Sequence, residues 1–313
     1  MATDMYYNRT MSQPLENLVL KDYQWLIDAV KNNQELDFQT GSNDQDSWFS
    51  VYRGTGRILT INPKGKVFAA KKYMELCPNF YDAPDLRGLK TLLQKIHDDR
   101  SLDRYYKDNK GNKKEGFYQN LISRRYSLHC SPDDDFIIID KEFVLGYSSG
   151  SEKNAIIQPI IDKYDKIISS LAAKYPFFKN VKQPGTECDL VGLTKQGDIL
   201  LFEVKQHKDS QKTYLSPIQA GKYDDLTKIF AEKYPDDFSK NVVSMVSQKE
   251  KMGILCPQWN IPSAISGKIC PAVVVDGNVS DEVQRRFRIA REAVGKDIPL
   301  FTCDDDGTLI KLL

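Results

Sequence analysis

The apolar positions of this chain change period several times along its length. Leu18, Val19, Leu26, Ala29 and Val30 recur at helical spacing and predict a helix over Leu15–Val30. Residues 1–14 before it are mostly polar and read as a loose tail, and residues 32–47 after it read as a loop. Three runs of β-branched and aromatic residues follow, at 48–53, 58–62 and 67–72, broken by Gly54–Gly56 and Pro63–Gly65. They predict strands joined by turns. Leu89, Leu92, Leu93 and Ile96 form the stripe of a helix over 86–106. A charged loop at 108–114 separates it from a second helix over 115–130. Residues 136–146 read as one long strand or a strand pair.

The second half has a clearer alternation. Ile156, Ile157, Ile160, Ile161, Tyr164, Ile167, Ile168 and Leu171 mark a helix over about 152–174. A hairpin pattern covers 186–206, with its turn at Lys195-Gln196-Gly197-Asp198. Helices are predicted at 215–234, 236–250 and 281–293, a strand at 272–276, and two short strands near 299–302 and 308–312. This order predicts an α/β layered core with a mixed sheet, preceded by an α+β first half. The expected division is a domain over 1–147, serving as substrate grip or scaffold, and a second over 148–313.

The hairpin carries the most informative side chains. Asp189 lies in its first strand, and Glu203-Val204-Lys205 ends its second. Side chains alternate along a strand, so Glu203 and Lys205 share a face with Ile199 and Leu201. A carboxylate at the end of an apolar row is costly without a counter-charge, and a divalent cation would hold two such acids ionised. Two carboxylates, a strand carbonyl and waters suit Mg²⁺. Such an ion polarises a phosphoryl oxygen and acidifies a bound water, while an adjacent lysine can orient that water or offset charge on phosphate. A Glu-x-Lys pair is also what an ordinary solvated strand face carries.

In this order the residues resemble the PD-(D/E)xK nuclease superfamily. Asp189 matches its first acid and Glu203-Val204-Lys205 its (D/E)xK. Gln219 and Tyr223 resemble the Gln-x-x-x-Tyr element of the RecB-like branch, and their i, i+4 spacing puts them on one helix face. The resemblance covers roughly residues 150–275. It implies a restriction-endonuclease-like mixed-sheet core flanked by helices. It also implies Asp189, Glu203, Lys205, Gln219 and Tyr223 as catalytic residues. Mg²⁺, with Mn²⁺ as substitute, would be held by Asp189, Glu203 and the Val204 carbonyl. The acid that such families add from a preceding helix would be Glu152, with Glu187 as substitute. Cys188 stands where the superfamily's name has Pro, and no His precedes the hairpin in the place where some RecB-like members carry one.

Composition narrows the partners only slightly. At 41% hydrophobic and 28% charged residues, the chain can bury a core and no run is long enough to span a membrane. No secretory signal is visible at the N-terminus, so a cytoplasmic location is the expectation. Six cysteines show no Cys-x-x-Cys or zinc spacing and read as reduced, buried thiols rather than iron–sulfur ligands. A net charge of +1 does not announce a nucleic-acid binder, but four local clusters offer phosphate contacts. These are Lys110/Lys113/Lys114, Arg124/Arg125, Lys205/His207/Lys208/Lys212 and Arg285/Arg286/Arg288/Arg291. His207 reads as a surface or phosphate contact, and the Tyr105-Tyr106 pair as packing, with base stacking as its functional alternative. The expected function is a metal-dependent nuclease acting on DNA more than on RNA, in repair, recombination or defence. A non-cutting nucleic-acid-binding module and a protein-interaction scaffold are the alternatives. Oligomeric state is left open, a dimer included.

Overall fold

A computed structural model of the chain describes residues 4–43, 46–70, 86–98, 106–108, 110–179, 181 and 185–313. The described elements of the first half are β1 (Met5–Tyr6), α1 (Gln13–Asp22), α2 (Gln24–Lys31), β2 (Leu36–Ser42), β3 (Ser47–Arg53), β4 (Gly56–Ile61), β5 (Val67–Ala69), α3 (Leu86–Asp98), α4 (Glu115–Arg125), β6 (Phe136–Phe143) and β7 (Gly146–Tyr147). The second half contributes α5 (Gly150–Lys174), a 3₁₀ turn at Pro176–Phe178, β8 (Cys188–Thr194), β9 (Ile199–Gln206), α6 (Ser210–Lys233), α7 (Pro235–Lys251), β10 (Ile269–Asp276), α8 (Asp281–Val294), β11 (Leu300–Cys303) and β12 (Leu309–Lys311). The fold is mixed α/β, with three sheets among the described residues.

Two compact units interleave along the sequence. One takes in the segment ending at Tyr7, Asp135–Val243 and Asn260–Leu313; the other takes in Asn8–Asp134 and Ser244–Trp259. The first unit contains a six-stranded sheet in the order β12-β11-β10-β9-β8-β6. Here β10 runs parallel to β9 and β11, whereas β8 is antiparallel to both β9 and β6. The central strands β8, β9 and β10 are buried along most of their length, which explains their near-continuous Val, Leu and Ile content. A small β1–β7 pair lies in the same unit.

The second unit is built on the antiparallel sheet β2-β3-β4-β5. Its core gathers Leu15, Val19, Leu26, Ile27 and Val30 from the helices and Phe38, Phe49, Val51, Leu59 and Ile61 from the strands.

Several sequence expectations are corrected. Residues 1–14 are not all tail: Met5–Tyr6 pairs with Tyr147 and Gly146, and Met5 and Tyr7 are buried. The segment is too short to show a period. Residues 32–47 are not all loop, because β2 pairs residue for residue with β3. Asp37, Gln39, Thr40 and Gly41 hide the strand, and its stability comes from the partner rather than from propensity. Gly41 is needed there, since a Cβ would lie 2.5 Å from the Trp48 ring. The helix over 15–30 breaks at Tyr23, whose φ of −117° and ψ of 16° leave the helical region. Helix α4 ends at Arg125 rather than at Cys130. Helix α5 begins at Gly150 despite Pro159, because the Ser149 hydroxyl accepts from the Glu152 N–H and caps it. Likewise α6 begins at Ser210, before Pro217, because Asp209 caps it. The expected helix and strand ends at 99–105 and 71–72, with Tyr105 and Cys77, lie outside the described residues.

Candidate functional site

Strands β8 and β9 form the hairpin that holds the acids. Its turn closes with Thr194 N–H donating to the Asp198 carbonyl, 3.0 Å, and Gly197 at φ +85°. That conformation favours glycine, and a Cβ would also meet the Ala264 carbonyl at 2.6 Å. Register then runs Leu193↔Ile199, Gly192↔Leu200, Val191↔Leu201 and Leu190↔Phe202. The next step brings Asp189 beside Glu203. At that step a side chain takes over from the ladder: Asp189 Oδ2 accepts the Val204 backbone N–H at 2.7 Å.

The three charged groups meet on one face. Lys205 Nζ is ion-paired with Glu203 Oε1 and lies 3.9 Å from Asp189 Oδ2. The Glu203 side chain is 0% exposed, Lys205 8% and Asp189 13%. On the other side of β9, the parallel register sets Val273 beside Glu203 and Val275 beside Lys205. An apolar wall thus lowers the local dielectric, and the carboxylates need their cation.

Helix α6 packs over β9 and β10. It brings Tyr223, buried, and Gln219, half-buried, to the sheet one turn apart. Burial first, then the Glu203 carboxylate, push the Tyr223 phenol well above its ordinary range, so it stays protonated. Close approach of this helix depends on Gly221, between those two residues. A Cβ there would lie 2.5 Å from Tyr164 Oη on α5 and 2.8 Å from Val294 on α8. Cys188 is buried, and burial together with the Asp189 and Glu203 charges drives its thiol well above the usual range. It is inert by that account.

Other expected residues sit differently. Glu152 sits in the first turn of α5, three residues after its cap: its N–H donates to Ser149 Oγ at 3.2 Å and its carboxylate accepts from the same hydroxyl at 3.4 Å. Glu187 is exposed. Val204 meets Asp189 through its N–H. Among the described residues, no group of three or more His, Cys, Asp or Glu side chains converges as a metal cage. The Asp189–Glu203 pair still has the donor chemistry of a hard-cation site. With Lys205 it carries one net negative charge, and both acids already reach one cationic atom.

The basic clusters divide as well. Arg124 is buried, and its guanidinium donates to the Val30, Lys31 and Leu36 carbonyls at 2.7–3.1 Å, closing the end of α2. Arg125 forks onto Asp134 at 2.6 and 3.0 Å. Arg124 is therefore taken up inside its unit, whereas Arg125 is half-buried and held by Asp134. Arg286 lies 4.5 Å over the Phe177 ring and 5.5 Å from that of Tyr214. Arg285 and Arg286 also hydrogen-bond Glu282 and hold its carboxyl down to about 2.

No protein-family model, curated protein or solved structure matches this chain. The site therefore stands on its own geometry. That geometry adds two buried carboxylates which the motif did not point to. Asp140 on β6 lies opposite Val191 and accepts the Tyr7 hydroxyl at 2.9 Å. Asp276 ends β10 and binds His207. Both close apolar runs, Ile137–Ile139 and Val273–Val275, and an acid directly after such a run is a legible signal. No helix among the described residues is long and apolar enough to cross a membrane.

Proposed function

We propose that this chain is a metal-dependent nuclease hydrolysing phosphodiester bonds in DNA, on a restriction-endonuclease-like core of the PD-(D/E)xK kind. One observation carries the reading: Asp189 and Glu203, from neighbouring antiparallel strands, both reach the Lys205 ammonium. The order α5, β8, β9, α6, β10, with β10 parallel to β9, supports it. Asp189 and Glu203 would hold Mg²⁺ or Mn²⁺. A bound ion of that kind supplies Lewis-acid polarisation of the phosphoryl oxygen and a more acidic water. Lys205 offsets charge on the phosphate, the buried Tyr223 phenol stands beside the Glu203 carboxylate, and half-buried Gln219 contacts substrate. The preference for DNA rests on the resemblance of the motif.

A second reading is favoured by the sealed Glu203–Lys205 pair, which already neutralises one acid internally. On that reading the chain binds nucleic acid without cutting it. Incubating the full chain with labelled single- and double-stranded DNA and RNA, in Mg²⁺, Mn²⁺ or chelator, separates the two. Cleavage that needs metal supports the nuclease; retention without cleavage in every metal supports the binding module.

A further inference from the structure

Two residues beyond Lys205, just past the end of β9, stands His207. Asp276 is the last residue of β10 and pairs with Gln206 in the parallel register. Its Oδ1 accepts the His207 backbone N–H and also lies 3.2 Å from His207 Nδ1. The Asp276 side chain is 5% exposed and that of His207 39%. Gly277, at φ +70°, lays its backbone against the ring, where a Cβ would sit 3.4 Å from Nδ1. The imidazole is thus gripped along its Nδ1 edge. Among the described residues nothing pairs with Nε2.

This arrangement does more than finish a strand. The backbone N–H alone would satisfy one Asp276 lone pair. The Nδ1 edge of the ring faces the Asp276 carboxylate, which leaves Nε2 as the nitrogen turned away from that carboxylate. The pair stands at the carboxyl ends of two parallel strands, the edge where open α/β sheets bind ligands. His207 directly follows the strand that carries Glu203 and Lys205.

We propose that His207 is the proton donor to the leaving oxygen of the phosphodiester, with Asp276 as its positioning residue; this rests on the nuclease reading above. In the step, a water oxygen bonds to phosphorus and the bond from phosphorus to the leaving sugar oxygen breaks. Its electron pair stays on that oxygen, which takes the proton from Nε2 and departs as an alcohol. The attacking water gives its proton to solvent, and solvent reloads the imidazole.

The test compares two oligodeoxynucleotides under single-turnover conditions. One is an ordinary strand; the other carries bridging sulfur at the scissile 3′ or 5′ position, whose thiolate leaves without a proton. His207→Ala and His207→Gln are expected to slow the ordinary strand by about 10²–10⁴-fold and the sulfur strand by less than about threefold. Asp276→Asn should show the same selectivity at smaller amplitude. Urea midpoints of the variants establish that they fold. Equal loss on both substrates would make His207 a structural or binding residue and overturn the proposal, as would no loss on either. If the wild-type chain cuts neither strand, the nuclease reading itself fails; if it cuts and His207→Ala matches it, only this inference fails.

Discussion

Glu203 and Lys205 are neighbours on one face of β9 and form an ion pair closed to solvent, with the Glu203 side chain 0% exposed. Two residues of a central strand therefore spend stability on charge in a place where apolar side chains would pack. Lys205→Met leaves the carboxylate without that cation and should cost about 3–5 kcal/mol in urea unfolding. Glu203→Leu combined with Lys205→Met should recover most of that loss while abolishing cleavage. A double variant no more stable than the single one would show that the buried pair does not cost the fold stability.

Tyr223 and Gln219 divide the work of α6. Tyr223 is buried against Glu203, whereas Gln219 is half-buried. Gln219→Ala should leave the urea midpoint within about 0.5 kcal/mol of wild type and still slow cleavage. Tyr223→Phe removes a buried hydroxyl beside the Glu203 carboxylate without breaking a hydrogen bond, and should slow cleavage while leaving the urea midpoint within about 1 kcal/mol of wild type. Stability and single-turnover rate measured on both variants decide the assignment.

Gly221→Ala tests how closely α6 approaches its neighbours. The added methyl would collide with Tyr164 Oη at 2.5 Å and Val294 at 2.8 Å. An overpacking cost of about 1–3 kcal/mol is expected, read as a lower melting temperature. An unchanged melting temperature would mean that the three helices do not meet at this point.

Acid should loosen the same helices. Asp225 is desolvated, which alone would raise its pKa, but hydrogen bonds from Lys163 and Lys296 outweigh that and hold it below its ordinary 3.8. The folded chain therefore releases this proton more readily than the unfolded one. Stabilisation from Asp225 is fully present above the unfolded value and is lost as pH falls through the lower folded value. Asp225→Asn should lower the urea midpoint at neutral pH, and its gap to wild type should close as pH falls below the ordinary carboxylate range. A gap independent of pH would exclude the ionised carboxylate as its source.

The hairpin and its acids were legible because their signals are local. Alternation placed Glu203 and Lys205 on one face, and Gly197 with Asp198 marked the turn. What was hidden depends on distant partners. Strand β2 is polar and exists through β3; Met5–Tyr6 is a strand only beside Gly146 and Tyr147. Arg124 looked like a surface cation, but the open carbonyls at the end of α2 draw it inside. The resemblance offers Glu152 as an added metal ligand, and in the fold its N–H bonds the Ser149 hydroxyl that caps α5. The Asp276–His207 contact joins residues far apart in sequence, which no short motif encodes.

The central claim is that Asp189, Glu203 and Lys205 act together on a phosphodiester. Its most direct test is the Mg²⁺-dependent cleavage rate of labelled DNA by wild type, Asp189→Asn, Glu203→Gln and Lys205→Ala, each first shown to be folded. The account predicts chelator-sensitive cutting by the wild type and a loss of at least about 10²-fold in every variant. Metal-dependent cutting that persists undiminished in Glu203→Gln or Lys205→Ala would contradict it.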